Sequence, residues 1–91
     1  MSHALYRRAS ETQHVDIGEE LVALDIRTGS CFGFNSVAAA VWHNLETPKS
    51  FEELRDILLN EYEVTAEQCS SELQALLDDL IDKGLLATQR G

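Results

Sequence analysis

Thiols are scarce in this chain: Cys31 and Cys69 are the only two, far apart and without a Cys-x-x-Cys pairing. That pattern carries neither a disulfide framework nor a thiolate metal signature, and both side chains are expected to pack as small buried apolar groups. The three histidines, His3, His14 and His43, share no i, i+3 or i, i+4 spacing with one another or with a cysteine, so no metal site is read and no cofactor is expected. Proline occurs once, at Pro48, and the five glycines form neither a GxGxxG nor a GxxxxGK[ST] loop, which removes the phosphate-cradling motifs. Long apolar runs are missing too. The longest are a few residues, against the roughly 20 a membrane helix needs, and Met1-Ser2-His3 has no signal-peptide core. A cytoplasmic protein without a membrane partner is the resulting expectation.

Basic residues are the last scarcity. Seven Lys and Arg face 16 Asp and Glu, for a net charge of −9. The excess is uneven, with five acids and three bases in residues 1–45 but eleven acids and four bases in residues 46–91. Nucleic-acid affinity rests on cations that neutralise phosphates and release counterions, so DNA and RNA are poor partners for this surface.

What is present is an ordinary globular composition, 44% hydrophobic and 25% charged, in a length that suits one domain spanning 1–91 and not two. From residue 13 to 35, Val15, Ile17, Val22, Leu24, Ile26, Phe32 and Phe34 recur largely at every second position, with turn glycines in Asp16–Glu20 and Arg27–Ser30. This period predicts a three-stranded antiparallel meander. After Asn35 the period lengthens to about 3.6. Asn35 or Ser36 is placed to cap a first helix carrying Val37, Ala38, Val41, Trp42 and Leu45, which Pro48 ends.

Ser50-Phe51-Glu52-Glu53 has the capping-box form and starts a second helix with Leu54, Ile57, Leu58 and Tyr62. Thr65-Ala66-Glu67-Gln68 repeats that form and starts a third, ending at Lys83-Gly84. The third helix carries a broad apolar face of Cys69, Leu73, Leu76, Leu77, Leu80 and Ile81, wider than one packed side requires, so each residue is either core or binding surface. The segments before residue 12 and after Thr88 are expected to lie outside an ordered core of about 12–87. The fold class is α+β, a meander followed by three helices.

No catalytic constellation is legible. Cys31 and His43 are the nearest approach to a nucleophile with a base, but no third orienting group accompanies them and Cys31 sits in a strand beside Phe32. A non-catalytic recognition role remains. A three-stranded meander has two edges whose unpaired amides and carbonyls accept another strand, and Gly33 marks either a close backbone approach or a bulge or tight packing point.

The run Leu24-Asp25-Ile26-Arg27-Thr28-Gly29-Ser30-Cys31-Phe32-Gly33-Phe34-Asn35-Ser36-Val37-Ala38-Ala39-Ala40-Val41-Trp42 resembles the PqqD-like family. So does the ending Leu76-Leu77-Asp78-Asp79-Leu80-Ile81-Asp82-Lys83-Gly84-Leu85-Leu86, and with the helix between them the likeness covers roughly residues 12–87. It implies a winged-helix-like fold that binds the leader of a ribosomally made precursor peptide and presents it to modifying enzymes: a leader peptidase, a cyclase or a radical-SAM enzyme.

By that resemblance the leader adds as a strand beside the last meander strand and lies against the third helix. Backbone contacts then fall at Cys31, Phe32, Gly33 and Phe34, apolar pockets at Leu73, Leu76, Leu77 and Leu80, and polar rim contacts at Asp79 and Lys83. One departure is Phe34, where the family often has leucine before the asparagine. Stand-alone members of this length resemble those of lasso-peptide pathways, and this chain is expected to be a monomer or weak dimer. Two rivals fit less well. A DNA-binding winged helix needs cations on its third helix, where only Lys83 stands against five acids, and an acyl carrier protein needs an Asp-Ser-Leu site that the chain does not contain.

Overall fold

The computed structural model describes residues 4–18 and 20–90. Its elements run β1 (Ala4–Arg8), β2 (Thr12–Ile17), β3 (Glu20–Asp25), β4 (Ser30–Phe34), α1 (Ser36–Asn44), β5 (Lys49–Ser50), α2 (Phe51–Glu61), α3 (Ala66–Asp82) and β6 (Leu86–Arg90). The expected meander is β2-β3-β4, antiparallel throughout, with Val15 opposite Val22 and Val22 opposite Gly33. Gly18 and Gly29 take φ of 64° and 74°, the left-handed conformation a tight reversal asks of its turn residue.

A second sheet, ordered β5-β1-β6, was not legible in the sequence. It corrects the expectation of loose ends: β1 pairs with β6 from Ala4 opposite Arg90 to Arg8 opposite Leu86, which ties the two ends of the chain together. The ordered structure therefore extends outward from 12–87 to 4–90. His3, one of the histidines weighed above, lies outside the described residues, as do Met1 and Ser2.

The helix boundaries follow the capping chemistry. Asn35 Oδ1 accepts from the Ala38 amide at 2.9 Å, which selects Asn35 over Ser36 as the cap of α1. Ser50 and Glu53 complete a reciprocal capping box at α2. Thr65 accepts from the Gln68 amide at α3. At the far end of α3, Gly84 at φ 77° lets the Gly84 and Leu85 amides return to the carbonyls of Ile81 and Leu80, a Schellman closure.

The core gathers one apolar side of each element. Leu21, Ala23 and Phe34 supply the inner face of the meander, Ala38, Val41, Trp42 and Leu45 the stripe of α1, and Leu54 and Leu58 that of α2. Cys69, Leu73, Leu77 and Leu80 supply α3, and Leu85 and Leu86 close it. Trp42 is the centrepiece. Its ring is wholly buried, meets Phe34 edge-on at 5.5 Å, and passes its indole N–H to His14 Nδ1 at 3.0 Å. Arg8 crosses from β1, lying 4.9 Å over the same ring while its guanidinium donates to the Trp42 carbonyl. These contacts lock α1 to both sheets, which fixes where β4 ends and the helices begin.

Candidate functional site

The site starts at β4, because the meander order leaves it hydrogen-bonded to β3 on one side only. In an antiparallel strand alternate residues direct their N–H and C=O to one edge, so two or three of the five residues Ser30–Phe34 keep outward-facing backbone groups. Gly33 is exposed, and a Cβ built on it would meet nothing within 4 Å. It marks open space, which removes tight packing as its explanation and leaves the backbone accessible.

The hairpin that delivers β4 is rigidly tied. Asp25 is buried, and its carboxylate accepts from the Arg27 amide at 3.0 Å and from the Arg27 guanidinium at 3.3 and 3.4 Å. The side-chain hydrogen bond from Arg27 leads in holding this carboxyl below its usual range, with the Arg27 backbone amide adding to it and burial opposing.

The strand's two faces divide the expected contacts. Phe32 and Phe34 pair with Ala23 and Leu21 and point inward, Phe34 into the core and Phe32 half-buried beside it. Cys31 and Gly33 pair with Leu24 and Val22 and point outward. Cys31 is thus exposed, a correction to the expected buried thiol; Cys69 is the buried one. It also faces away from α1, whose His43 engages Asp16 at 3.3 Å and His14 edge-on at 5.6 Å. The Cys31–His43 pair is therefore not assembled.

The C-terminal end of α3 comes close to β4. Lys83, just past its last turn, places Nζ 5.5 Å from the Phe32 ring centroid and pairs with Asp79 at 2.7 Å. These two rim residues do come together, next to β4. Further back along α3, Leu73, Leu76, Glu72 and Ala75 join Asn35 and Val37 from the strand-to-helix junction, and Leu58, Tyr62 and Val64 from α2 and its exit, around a mainly apolar cavity of about 390 Å³. The contact of Lys83 with Phe32 is thus charged and aromatic, whereas the apolar cavity is walled by α3, α2 with its exit and the strand-to-helix junction just past the end of β4.

Four leucines were expected to supply apolar pockets, and the structure sorts them. Leu76 is half-buried and borders the cavity, and Leu73 is buried at its floor. Leu77 and Leu80 are corrected to core residues, exposed by 0% and 2% and, unlike the equally buried Leu73, outside the cavity wall. Sequence reasoning missed Val37, Tyr62 and Val64. Tyr62 was read as part of the second helix's apolar side; its position at the helix exit, beside a loop valine, is the signal that marks a cavity wall.

Among the described residues no three His, Cys, Asp or Glu side chains converge as a metal group, and no helix is long and apolar enough to cross a membrane.

Residues 20–86 match the family described as coenzyme PQQ synthesis protein D (PqqD). Two solved structures share the fold. One is described as TbiB1 in complex with the TbiA(beta) leader peptide, 31% identical with a TM-score of 0.82 over 88% of this chain and 93% of that one. The other is a lasso peptide synthetase B1 complexed with the leader peptide, 25% identical with a TM-score of 0.78 over 90% of this chain and 96% of that one. No curated protein gives a significant match.

Proposed function

The chain belongs to the PqqD family, and we propose that it binds the leader region of a ribosomally synthesised precursor peptide by strand addition to β4. The observation that carries this reading is the unpaired β4 edge, clear of side chains at Gly33 and lying beside α3. The two structural neighbours are themselves complexes with leader peptides.

The peptide backbone pairs with the outward groups of β4, at roughly 1 kcal/mol net per hydrogen bond. Apolar side chains on the peptide's inner side enter the cavity walled by Leu76, Val37 and Tyr62, and polar groups meet Asp79 and Lys83 at the other end. The same recognition serves presentation: the chain is a non-catalytic subunit that hands the leader to a peptidase, cyclase or radical-SAM enzyme, with the lasso-peptide pathway favoured by the neighbour described as a lasso peptide synthetase B1. DNA binding is disfavoured, because α3 with its cap carries one cation against five acids.

Titration with the leader segment of a candidate precursor, sought as a short open reading frame next to this chain's gene, tests the reading. Saturable binding that a Leu76→Asp variant weakens supports it. Absence of binding to that leader by the folded wild-type chain removes it.

A further inference from the structure

The meander has a second open edge. Strand β2 pairs with β3 alone, over six residues without a bulge, so its far side keeps a row of unpaired backbone groups. The Ile26 amide bonds the Glu11 carbonyl, which makes Glu11 and Ile26 a hydrogen-bonded pair; by antiparallel alternation Gln13 with Leu24, Val15 with Val22 and Ile17 with Glu20 are such pairs too. Thr12, His14 and Asp16 therefore turn their N–H and C=O groups outward. Outer strands that face only water are usually blunted by lysine, proline or a bulge, and β2, reading Thr-Gln-His-Val-Asp-Ile, has none of the three. Its Val15 and Ile17 stand 59% and 60% exposed, the most open large apolar side chains among the described residues.

A second copy of the same strand fits this edge, and in one register. Outward groups must meet outward groups, so a twofold axis relating two antiparallel copies passes through a residue and not between two. An axis at His14 or Asp16 sets that side chain against itself, and an axis at Gln13 brings only Thr12 and His14 into bonding pairs. An axis at Val15 sets His14 opposite the partner's Asp16 and Asp16 opposite the partner's His14, both as hydrogen-bonded pairs, with Gln13 opposite the partner's Ile17. The chemistry of the pair is complementary: His14 Nδ1 accepts from Trp42, so the neutral ring carries its proton on Nε2 and can donate it to a carboxylate. The net charge of −9 is mostly elsewhere. Residues 1–45 hold five acids against three bases, and the larger excess of residues 46–91 rides on α2, α3 and the turns beside them.

We propose that the chain forms a twofold dimer by pairing β2 with β2 of a second copy, centred on Val15, so that two meanders become one six-stranded sheet ordered β4-β3-β2-β2-β3-β4. Val15 then faces the partner's Val15 as a non-hydrogen-bonded pair, the closer of the two kinds, with Cα atoms about 4.5 Å apart. One strand pair is a small interface, so the dimer is weak, with Kd on the order of 10–100 μM. Both β4 strands remain at the outer edges of the joined sheet. The dimer does not depend on the leader-binding reading; together the two give a particle that holds two leaders on two separate edges.

Sedimentation equilibrium of the full chain at concentrations up to about 0.5 mM, above that Kd, tests the proposal. The wild type is expected to pass from monomer to dimer across the range. Val15→Lys and Val15→Glu change an exposed side chain and leave the core untouched, with circular dichroism to confirm the fold. Each is expected to dimerise at least tenfold more weakly, because the axis sets like charge against like, and an equimolar mixture of the two is expected to recover the dimer, because the axis then sets opposite charges together. A wild type that stays monomeric overturns the proposal, as does a dimer that survives in both folded variants, or a mixture that associates no better than its components. A wild-type dimer that saturating candidate leader splits also overturns it, since β4 would then be the paired edge.

Discussion

Leu76 and Leu80 lie four residues apart on α3, yet the structure assigns them opposite consequences when changed. Leu76 borders the cavity and is half-buried in the free protein; Leu80 is 2% exposed. Full burial of a leucine side chain contributes about 1.5–3 kcal/mol, so covering the open half of Leu76 with a peptide contributes about 1 kcal/mol, and an aspartate there adds the cost of crowding a charge against apolar atoms. Leu76→Asp is therefore expected to weaken leader binding by about 1–3 kcal/mol, roughly 5- to 150-fold, while the domain stays folded. Leu80→Ala removes a packed side chain from the core and is expected to lower unfolding free energy by about 2–5 kcal/mol, with the folded fraction keeping near-native affinity. Isothermal titration with the leader, paired with urea denaturation of each variant, separates the two effects. The reasoning is refuted if folded Leu76→Asp binds like wild type, or if Leu80→Ala loses affinity without losing stability.

Three further outcomes follow from named contacts. Replacing His14 with alanine leaves the buried Trp42 indole N–H without its acceptor and should cost about 1–3 kcal/mol in denaturant unfolding. Gly84→Ala should destabilise by about 1 kcal/mol in the same assay, since φ is 77° and the new Cβ would sit 3.0 Å from the Arg27 guanidinium that holds Asp25. Asp25 makes an acid-dependent contribution: its folded carboxyl is held below its ordinary value, so its stabilisation is present above that ordinary value and is lost as pH falls through the lowered one. Unfolding measured from neutral pH into acid should therefore show a shallower decline for Asp25→Asn than for wild type. Equal slopes would remove the Asp25–Arg27 contact from the account.

The parts legible in the sequence were those with local causes. Asn35, Ser50 and Thr65 cap helices through hydrogen bonds spanning three residues, and Gly84 closes α3 through its own positive φ, so the starts of all three helices and the end of α3 could be read from adjacent side chains. The second sheet had no such signature. β1 and β6 sit at opposite ends of the chain, and neither Ala-Leu-Tyr-Arg-Arg nor Leu-Ala-Thr-Gln-Arg alternates strongly enough to announce a strand. Their pairing is a long-range event.

The phase of the meander was hidden for a different reason. Leu21-Val22-Ala23-Leu24 is apolar on both faces, so alternation did not reveal that Leu21 and Ala23 turn inward while Cys31 turns outward with Leu24. Helical period likewise placed Leu73, Leu76, Leu77 and Leu80 on one broad face. Which part of that face is covered depends on where α2 and the meander sit, and that information lies outside the helix. The groove's position was carried by the family resemblance; its cavity wall at Val37, Tyr62 and Val64 is assembled from three separated segments and required the fold.

The most direct measurement of the central claim is backbone amide hydrogen exchange, residue by residue, with and without that candidate leader segment. Strand addition to β4 predicts that outward-facing amides within Ser30–Phe34 slow on saturation with leader, while those of β2, β5 and β6, the outer strands elsewhere, exchange as before. Protection appearing along β2 or β6 while β4 stays unchanged would contradict it.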